Sequence, residues 1–598
     1  MRPTSRTNND INSQATILSA PQSPDATIDD RSETGSLRVG ASQQSYVGGD
    51  HWAAILDSIA DLKAHFDREE EAKLVEHQDS AVTAVEDEGS SEMDSSQRPR
   101  TMLLYGCRPA RSRAEILSGL PPKSAVDRYI SRYFNQLDLV ASSSTHAPTF
   151  LREYEAFWAD PSRPSIMWIG LLYSMICLAV IASDLTLSPE SIEVEQQRLQ
   201  LDLYREKVVQ CLIMGKYTQG GPHALETFLN YVYIEFRIHP DADKDVWYLL
   251  GIEVNLAKQM GYHRDPKHFP HITRREGEMR RRVWATVLLS DCLISSQMGM
   301  PRMITSSQFD TEEPRNLNDT DLDGDISELP PARPETEHTT ALGIIARRRM
   351  LIALGAVSDI TSALQACSYA EVMKVDKILN EAGKSIPPPL QMKPMASSVT
   401  DSPQTIMSRL FLGHMFYKGQ IMLHRKFLFL DSPSSQDDVF EYSRKACLHA
   451  TLGTLKIQQV LDEETCPGGQ LQMMHWRVGS IMNHHFLTAT MILCSMVHRK
   501  KMLGCEEEIM TALRTSRLIW MRKESSSKEA KKAAQAVSIV LARAGGPRFD
   551  MGFTPEKPDN LRTEHAPFEQ MSTFHRSNLE FDDHQGLEED ASVDQGMI

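Results

Sequence analysis

The chain has 598 residues, 41% of them hydrophobic, which is enough apolar material for at least one large core. A formal net charge of -16 argues against generic affinity for nucleic acid, because phosphate binding rests on basic surface and counterion release; any such contact has to be local. The nine cysteines, at 107, 177, 211, 292, 367, 447, 466, 494 and 505, give neither a CxxC metal knuckle nor a disulfide framework, and several sit in apolar runs as small buried hydrophobes of a reducing compartment.

Residues 1–49 are polar, poor in aromatics and without the apolar core of a signal peptide, so a disordered leader is predicted. In the stretch GGDHWAAILDSIADLKAHFDREEE, Asp50 is placed to cap a helix. Trp52, Ile55, Ile59, Leu62 and Phe66 follow in steps of three and four, the seam of a short coiled coil over 50–74 and the candidate dimerisation element. Its length cannot hold a dimer alone, so it is expected to act with the rest of the chain or with a partner's coil. Residues 75–115 read as an acidic linker.

From 116 to 545 the text reads as one large, all-α, multi-helix domain. In LPPKSAVDRYISRYFNQLD, Ser124 and Asp127 resemble a capping box, with Val126, Tyr129, Ile130, Tyr133, Phe134 and Leu137 in helical period. The uncharged run at 165–182 approaches the length of a membrane span, but Ser165, Gly170 and Ser174 and the lack of a basic flank beyond Arg163 make it a buried helix. Further helices are predicted at 195–214, 222–238, 244–260, 277–298, 339–367, 370–382, 405–427, 436–461, 472–498 and 505–523, without the alternation that strands require. Residues 546–598 form a disordered acidic tail: no Lys or Arg follows Arg576, and Leu579, Phe581 and Leu587 interleave with carboxylates as in activation segments.

Catalytic signatures are missing: the chain has no GxGxxG, GxxxxGK[ST], HExxH or GxSxG. Asp319, Asp321, Asp323, Gly324 and Ile326 imitate the opening of a calcium loop, but the twelfth position is Pro330 instead of the bidentate glutamate. His263, Asp265, His268 and His271 match no familiar metal spacing and lie in a proline-bounded turn. No catalytic, cofactor-binding or metal residue is assigned.

The segment GEMRRRVWATVLLSDCLISSQMGMPRMI, residues 277–304, concentrates charge on an apolar helix. Met279, Val283, Trp284, Val287, Leu288 and Cys292 share one face, and Asp291 sits beside it. A carboxylate there needs a partner, and Arg280, Arg281, Arg282 and Arg302 are the candidates. The competing reading makes the arginines a DNA-reading surface.

Taken in order, STHAPTFLREYEAFW, DVWYLLGIEVNLAKQMGYHRDP, EMRRRVWATVLLSDCLISSQMGMPRMI and FDTEEPRNLNDTDL resemble the fungal-specific transcription factor domain, the all-α regulatory region of fungal zinc-cluster factors. The resemblance is strong over about 120–330 and weaker to about 520. It rests on His146, Pro148 and Phe150; Trp247, Gly251 and Ala257; Gly261, His263, Arg264 and Asp265; and Arg281, Arg282, Trp284, Asp291, Gly299 and Pro301. Gly261 and Gly299 also suit left-handed positions that end helices. The resemblance implies a nuclear regulator of RNA polymerase II genes, for instance of a metabolic or secondary-metabolite pathway, and no enzyme. It implies other regulators or coactivators as partners, a homo- or heterodimer, and no membrane.

The family's six closely spaced zinc-binding cysteines are not found, since no cysteine precedes Cys107. Direct DNA binding is therefore expected to be weak, with zinc expected only alongside an upstream cluster. A shortened reading of the gene, a DNA-binding partner and recruitment to another task stay open, as does the alternative of a protein that sequesters or heterodimerises with a zinc-cluster factor.

Overall fold

The computed structural model describes residues 35–39, 44–69, 101–137, 141, 143–183, 192–324, 328–363, 367–430 and 438–544. The leader at 1–34, most of the acidic linker and the tail from 545 onward, including the acidic-hydrophobic segment, lie outside the described residues.

Among the described residues the regular structure is almost wholly helical, as the periodicity predicts. The chain runs through α1 (Trp52–Asp57), α2 (60–69), α3 (Met102–Tyr105), α4 (Arg113–Leu117), α5 (Lys123–Gln136), α6 (Ala147–Ala159), α7 (Ile166–Ile181), α8 (Ile192–Met214) and α9 (Ala224–Ile238). It continues through α10 (Lys244–Gln259), α11 (Arg274–Gln297), α12 (Leu342–Thr361), α13 (Tyr369–Lys384), α14 (Pro403–His424), α15 (Glu441–Glu464), α16 (Ser480–His498), α17 (Glu506–Lys523) and α18 (Lys528–Ala544).

The apolar run at 165–182 becomes α7, capped by the Ser165 hydroxyl on the Trp168 N–H at 3.1 Å. Every side chain from Met167 to Val180 is buried, because α5, α8 and α9 surround it. No described helix is long and apolar enough to cross a membrane. The second half packs α12 and α15 on α14, and α15 and α18 on α16, while α11 bridges the halves through α10, α12 and α16. One continuous core runs from Trp52 to Val540.

The N-terminal segment departs from expectation. Ser36–Val39 and Gln44–Val47 form an antiparallel hairpin, β1 and β2, where a polar leader without structure was predicted. The predicted coil breaks at Ser58, whose N–H bonds to the carbonyls of Ala54 and Ile55. The cap is His51, not Asp50: Nδ1 of His51 accepts the Ala53 N–H at 3.1 Å, and Asp50 instead pairs with Arg425 at 3.2 Å.

The seam is not offered to a partner. Ile59 is 1% exposed and Leu62 0%, with Trp52, Ile55 and Phe66 also buried, and α1 packs on α16 of the same chain. Five large apolar side chains each gain roughly 1.5–3 kcal/mol by burial, so this face is spent on the fold. The assignment of these residues as a dimerisation coil is corrected accordingly, and the folded body starts well before 116, since Thr101 is fully buried.

Two further details differ. The Ser124–Asp127 capping box does not form, because α5 begins at Lys123 behind Pro122; Asp127 instead accepts from Lys123 Nζ at 2.9 Å and Tyr154 at 2.6 Å. Helices α3 and α4, which begin within the stretch read as an acidic linker, and α6 and α18 are not predicted from the sequence, although Ala533, Ala536, Val537 and Val540 form a buried helical stripe.

Candidate functional site

The motif residues converge on α11 and the loops that face it. Thr273 caps α11, its hydroxyl accepting the Glu276 N–H, and Gly299 ends it at φ +66, with the Met300 N–H returning to the Ser295 carbonyl at 2.8 Å. Gly261 closes α10 in the same way at φ +75, the Tyr262 N–H reaching the Ala257 carbonyl at 3.0 Å. Gly299 has a second duty. Its carbonyl accepts the Gly48 N–H at 2.9 Å, and a Cβ there would lie 2.9 Å from that nitrogen, so the N-terminal segment docks on the turn only because it is bare.

Arg281 is a two-pronged ligand for Asp265, Nε and Nη2 each donating at 3.0 Å, and its Nη1 reaches Glu278 at 3.4 Å. Asp265 also accepts the N–H groups of Lys267 and Glu312. Burial pushes the Asp265 carboxyl up, but these donors outweigh it and hold it below the usual carboxylate range. For Glu278 burial wins, and its carboxyl stays above the usual range although the Arg315 N–H donates to it at 2.6 Å.

Arg282, fully buried, donates to Asp319 at 2.6 Å and to the Leu317 carbonyl at 3.1 Å. Asp319 returns to the start of α6, accepting the Ala147 N–H at 3.1 Å, while its carbonyl lies 2.9 Å from His146 Nε2. Pro148 stands in the first turn of α6, and Phe150 stacks on Trp168 with centroids 5.7 Å apart. The loop that imitates a calcium site is therefore an arginine receptor: Asp321 pairs with Arg333 and Asp323 with Arg152. Arg264 and His268 share Asp310, at 3.1 and 2.8 Å, and burial holds His263 below the usual histidine range. Among the described residues no three His, Cys, Asp or Glu are grouped to hold a metal.

Asp291 is buried as expected, but its partner is not an arginine. It accepts the N–H groups of Met303 and Ile304, both at 2.9 Å, and the Ser295 hydroxyl at 3.1 Å. The turn through Gly299 and Pro301 folds the following strand of chain back over α11 and brings those amides to the carboxylate. Arg302 makes no hydrogen bond to it, being bound to Asp359 at 2.7 Å and the Gly355 carbonyl at 3.1 Å, although its charge acts on the carboxyl from nearby. Burial pushes the Asp291 carboxyl up against these donors. Beside it lies the fully buried Glu253, which sequence reasoning passed over; burial pushes that carboxyl well above the usual range, and Asp291 adds to the effect.

Arg280 completes the set, donating to the Met260 carbonyl and lying 4.3 Å from the Tyr262 ring centroid. Trp284 is fully buried, Trp247 partly, and Gly251 has only the Met303 methyl within 3.9 Å of where a Cβ would stand. The three consecutive arginines thus hold loops together and do not form a free basic face.

Residues 126–392 match the family model for the fungal specific transcription factor domain. The chain is 39% identical to the equisetin cluster transcription factor of Fusarium heterosporum, over 90% of this chain and 77% of that protein. The chain belongs to the fungal-specific transcription factor family.

Two other members are comparably similar: the fusarisetin A cluster transcription factor of a Fusarium species, strain FN080326 (40% identical; 86% of this chain, 68% of that one), and a Zn(2)-C6 fungal-type transcription factor of Macrophomina phaseolina (38%; 85% and 68%). Membership makes the chain a transcriptional regulator and sets it apart from enzymes. Of the residues singled out in the sequence, His146, Asp265, Arg281, Arg282 and Asp291 join the hydrogen-bond network around α11, and Gly261 and Gly299 make turns beside it.

Proposed function

We propose that this chain is the regulatory body of a nuclear transcription factor that controls a secondary-metabolite gene cluster, with DNA read by a zinc-cluster module outside the residues of this chain. The observation that supports the second half is the internal use of Arg280, Arg281 and Arg282, which takes the three consecutive arginines of α11 away from phosphates and leaves only Arg274 and Arg275 at its first turn facing outward. The first half is supported by the relatives, two of which are named for such clusters. Partners are other regulators or coactivators, and a homo- or heterodimer has to use a face other than the buried seam at 52–66. No cofactor is required by the chain itself.

The test is a reporter assay with the chain fused to an unrelated DNA-binding domain, with and without residues 577–598, alongside a gel shift of the unfused chain. Reporter activation by the fusion, reduced on removing the acidic tail, and only weak, sequence-indifferent shifts by the unfused chain are the expected results. A silent intact fusion favours the sequestering partner instead. A nanomolar, sequence-specific shift by the chain alone overturns the proposed division of labour.

A further inference from the structure

Between α9, α11, α14 and α16 lies a cavity of about 120 Å³ that opens to solvent. Its walls are mostly apolar, with Leu229, Phe236, Leu293, Met407, Phe411 and Met482 among them, and three arginines, Arg237, Arg347 and Arg477, also border it. An apolar cavity with a few convergent polar groups is the usual form of a small-molecule site.

Arg237 is the anomaly. It lies near the C-terminal end of an otherwise apolar helix, ALETFLNYVYIEFRI, and its Nε is buried without a hydrogen-bond partner. Burial pushes its guanidinium down, and the charged or polar groups that act on it are Tyr233 and Arg477, neither of them a carboxylate. Both guanidinium groups converge on Trp476, at 6.0 and 5.7 Å from the ring centroid. The arrangement is held open by Gly479, where a Cβ would stand 2.0 Å from Arg237 Nη1.

An arginine stays charged under such conditions, and a positive charge on an apolar wall without an anion is costly unless something supplies one. A carboxylate fits the guanidinium fork with two parallel hydrogen bonds. We propose that the cavity is a binding site for an amphiphilic organic acid, its hydrocarbon body among the apolar walls and its anionic head against Arg237. The site goes beyond the transcriptional reading and does not depend on it, since binding is measured on the purified chain.

The test pairs ligands with the same body and different heads: decanoate against decan-1-ol for a linear body, and adamantane-1-carboxylate against adamantan-1-ol for a compact one, each titrated calorimetrically into the full chain. At least one acid is expected to bind at least about tenfold more tightly than its alcohol, a difference of about 1.4 kcal/mol. Arg237→Gln, confirmed as folded by circular dichroism, is expected to bring that ratio close to one, and Gly479→Ala to lower it by displacing the guanidinium. Alcohols binding as well as acids in both pairs, or no binding by either acid, overturns the proposal with the unaltered chain alone, whether or not the variants fold. A folded Arg237→Gln that keeps the full preference for the acid overturns it equally.

Discussion

Arg282 and Asp319, 37 residues apart in the chain, meet at 2.6 Å with the guanidinium wholly buried, and this pair ties α11 to the acidic loop and, through the Ala147 N–H and His146, to α6. A buried pair of this kind contributes little net stability over an apolar substitute, but removing one partner strands the other. Asp319→Ala is therefore expected to destabilise the fold by about 3–5 kcal/mol. Urea unfolding of this variant, of Arg282→Met and of the double variant checks it: the double variant should lose less than the sum of the singles. Additive losses would falsify the coupling.

Asp291 gives a second, sharper test, because its partners are amides. Removing the carboxylate in Asp291→Ala leaves the N–H groups of Met303 and Ile304 without acceptors, at about 1–3 kcal/mol each. Arg302→Met, which keeps the packing of a side chain only 8% exposed and gives up the pair with the exposed Asp359, should cost about 1 kcal/mol or less. Thermal melting of the two variants ranks them; an Arg302 variant as unstable as the Asp291 variant would restore the arginine as the carboxylate's partner.

The buried seam predicts that damage to it is felt as lost stability and not as dissociation. Leu62→Ala should cost about 2–5 kcal/mol through the cavity it leaves, with the sedimentation behaviour of the folded protein unchanged. Conversion from dimer to monomer without loss of stability would return residues 52–66 to the role of an intermolecular coil.

Histidines set the pH response. His414, His484 and His485 are buried together with Lys418, and His485 Nδ1 lies 2.6 Å from His414 Nε2. Burial, with Lys418 adding to it, pushes His414 down to about 3. Because the folded chain disfavours the proton that the unfolded chain accepts near pH 6.5, the stability from this group is fully present above about pH 7 and is lost as pH falls toward 3. At pH 5 the loss from His414 alone is roughly 2 kcal/mol, and His484 and His485 act in the same direction. Melting temperatures between pH 7.5 and 5 should fall for the unaltered chain and fall less steeply for His414→Gln; parallel slopes would remove this histidine from the account.

The sequence by itself determined the helices, because a 3.6-residue period of apolar side chains leaves its mark locally; α7, α10 and α11 were legible from it, as were the turns at Gly261 and Gly299, where only a residue without Cβ takes the left-handed backbone easily. The four ordered motifs likewise carried the family. Which partner each motif residue takes was decided only by tertiary structure. Asp291 has arginines nearby in sequence, yet the turn after α11 presents two amides first, and Arg282 finds its carboxylate 37 residues downstream. The heptad of Trp52, Ile55, Ile59, Leu62 and Phe66 is the same whether it faces another copy or the chain's own α16, since periodicity records that a face is buried and not what buries it. The chamber beside Arg237 lay outside reach for the same reason: its walls come from segments scattered between Ser144 and Met482, and a void has no sequence period.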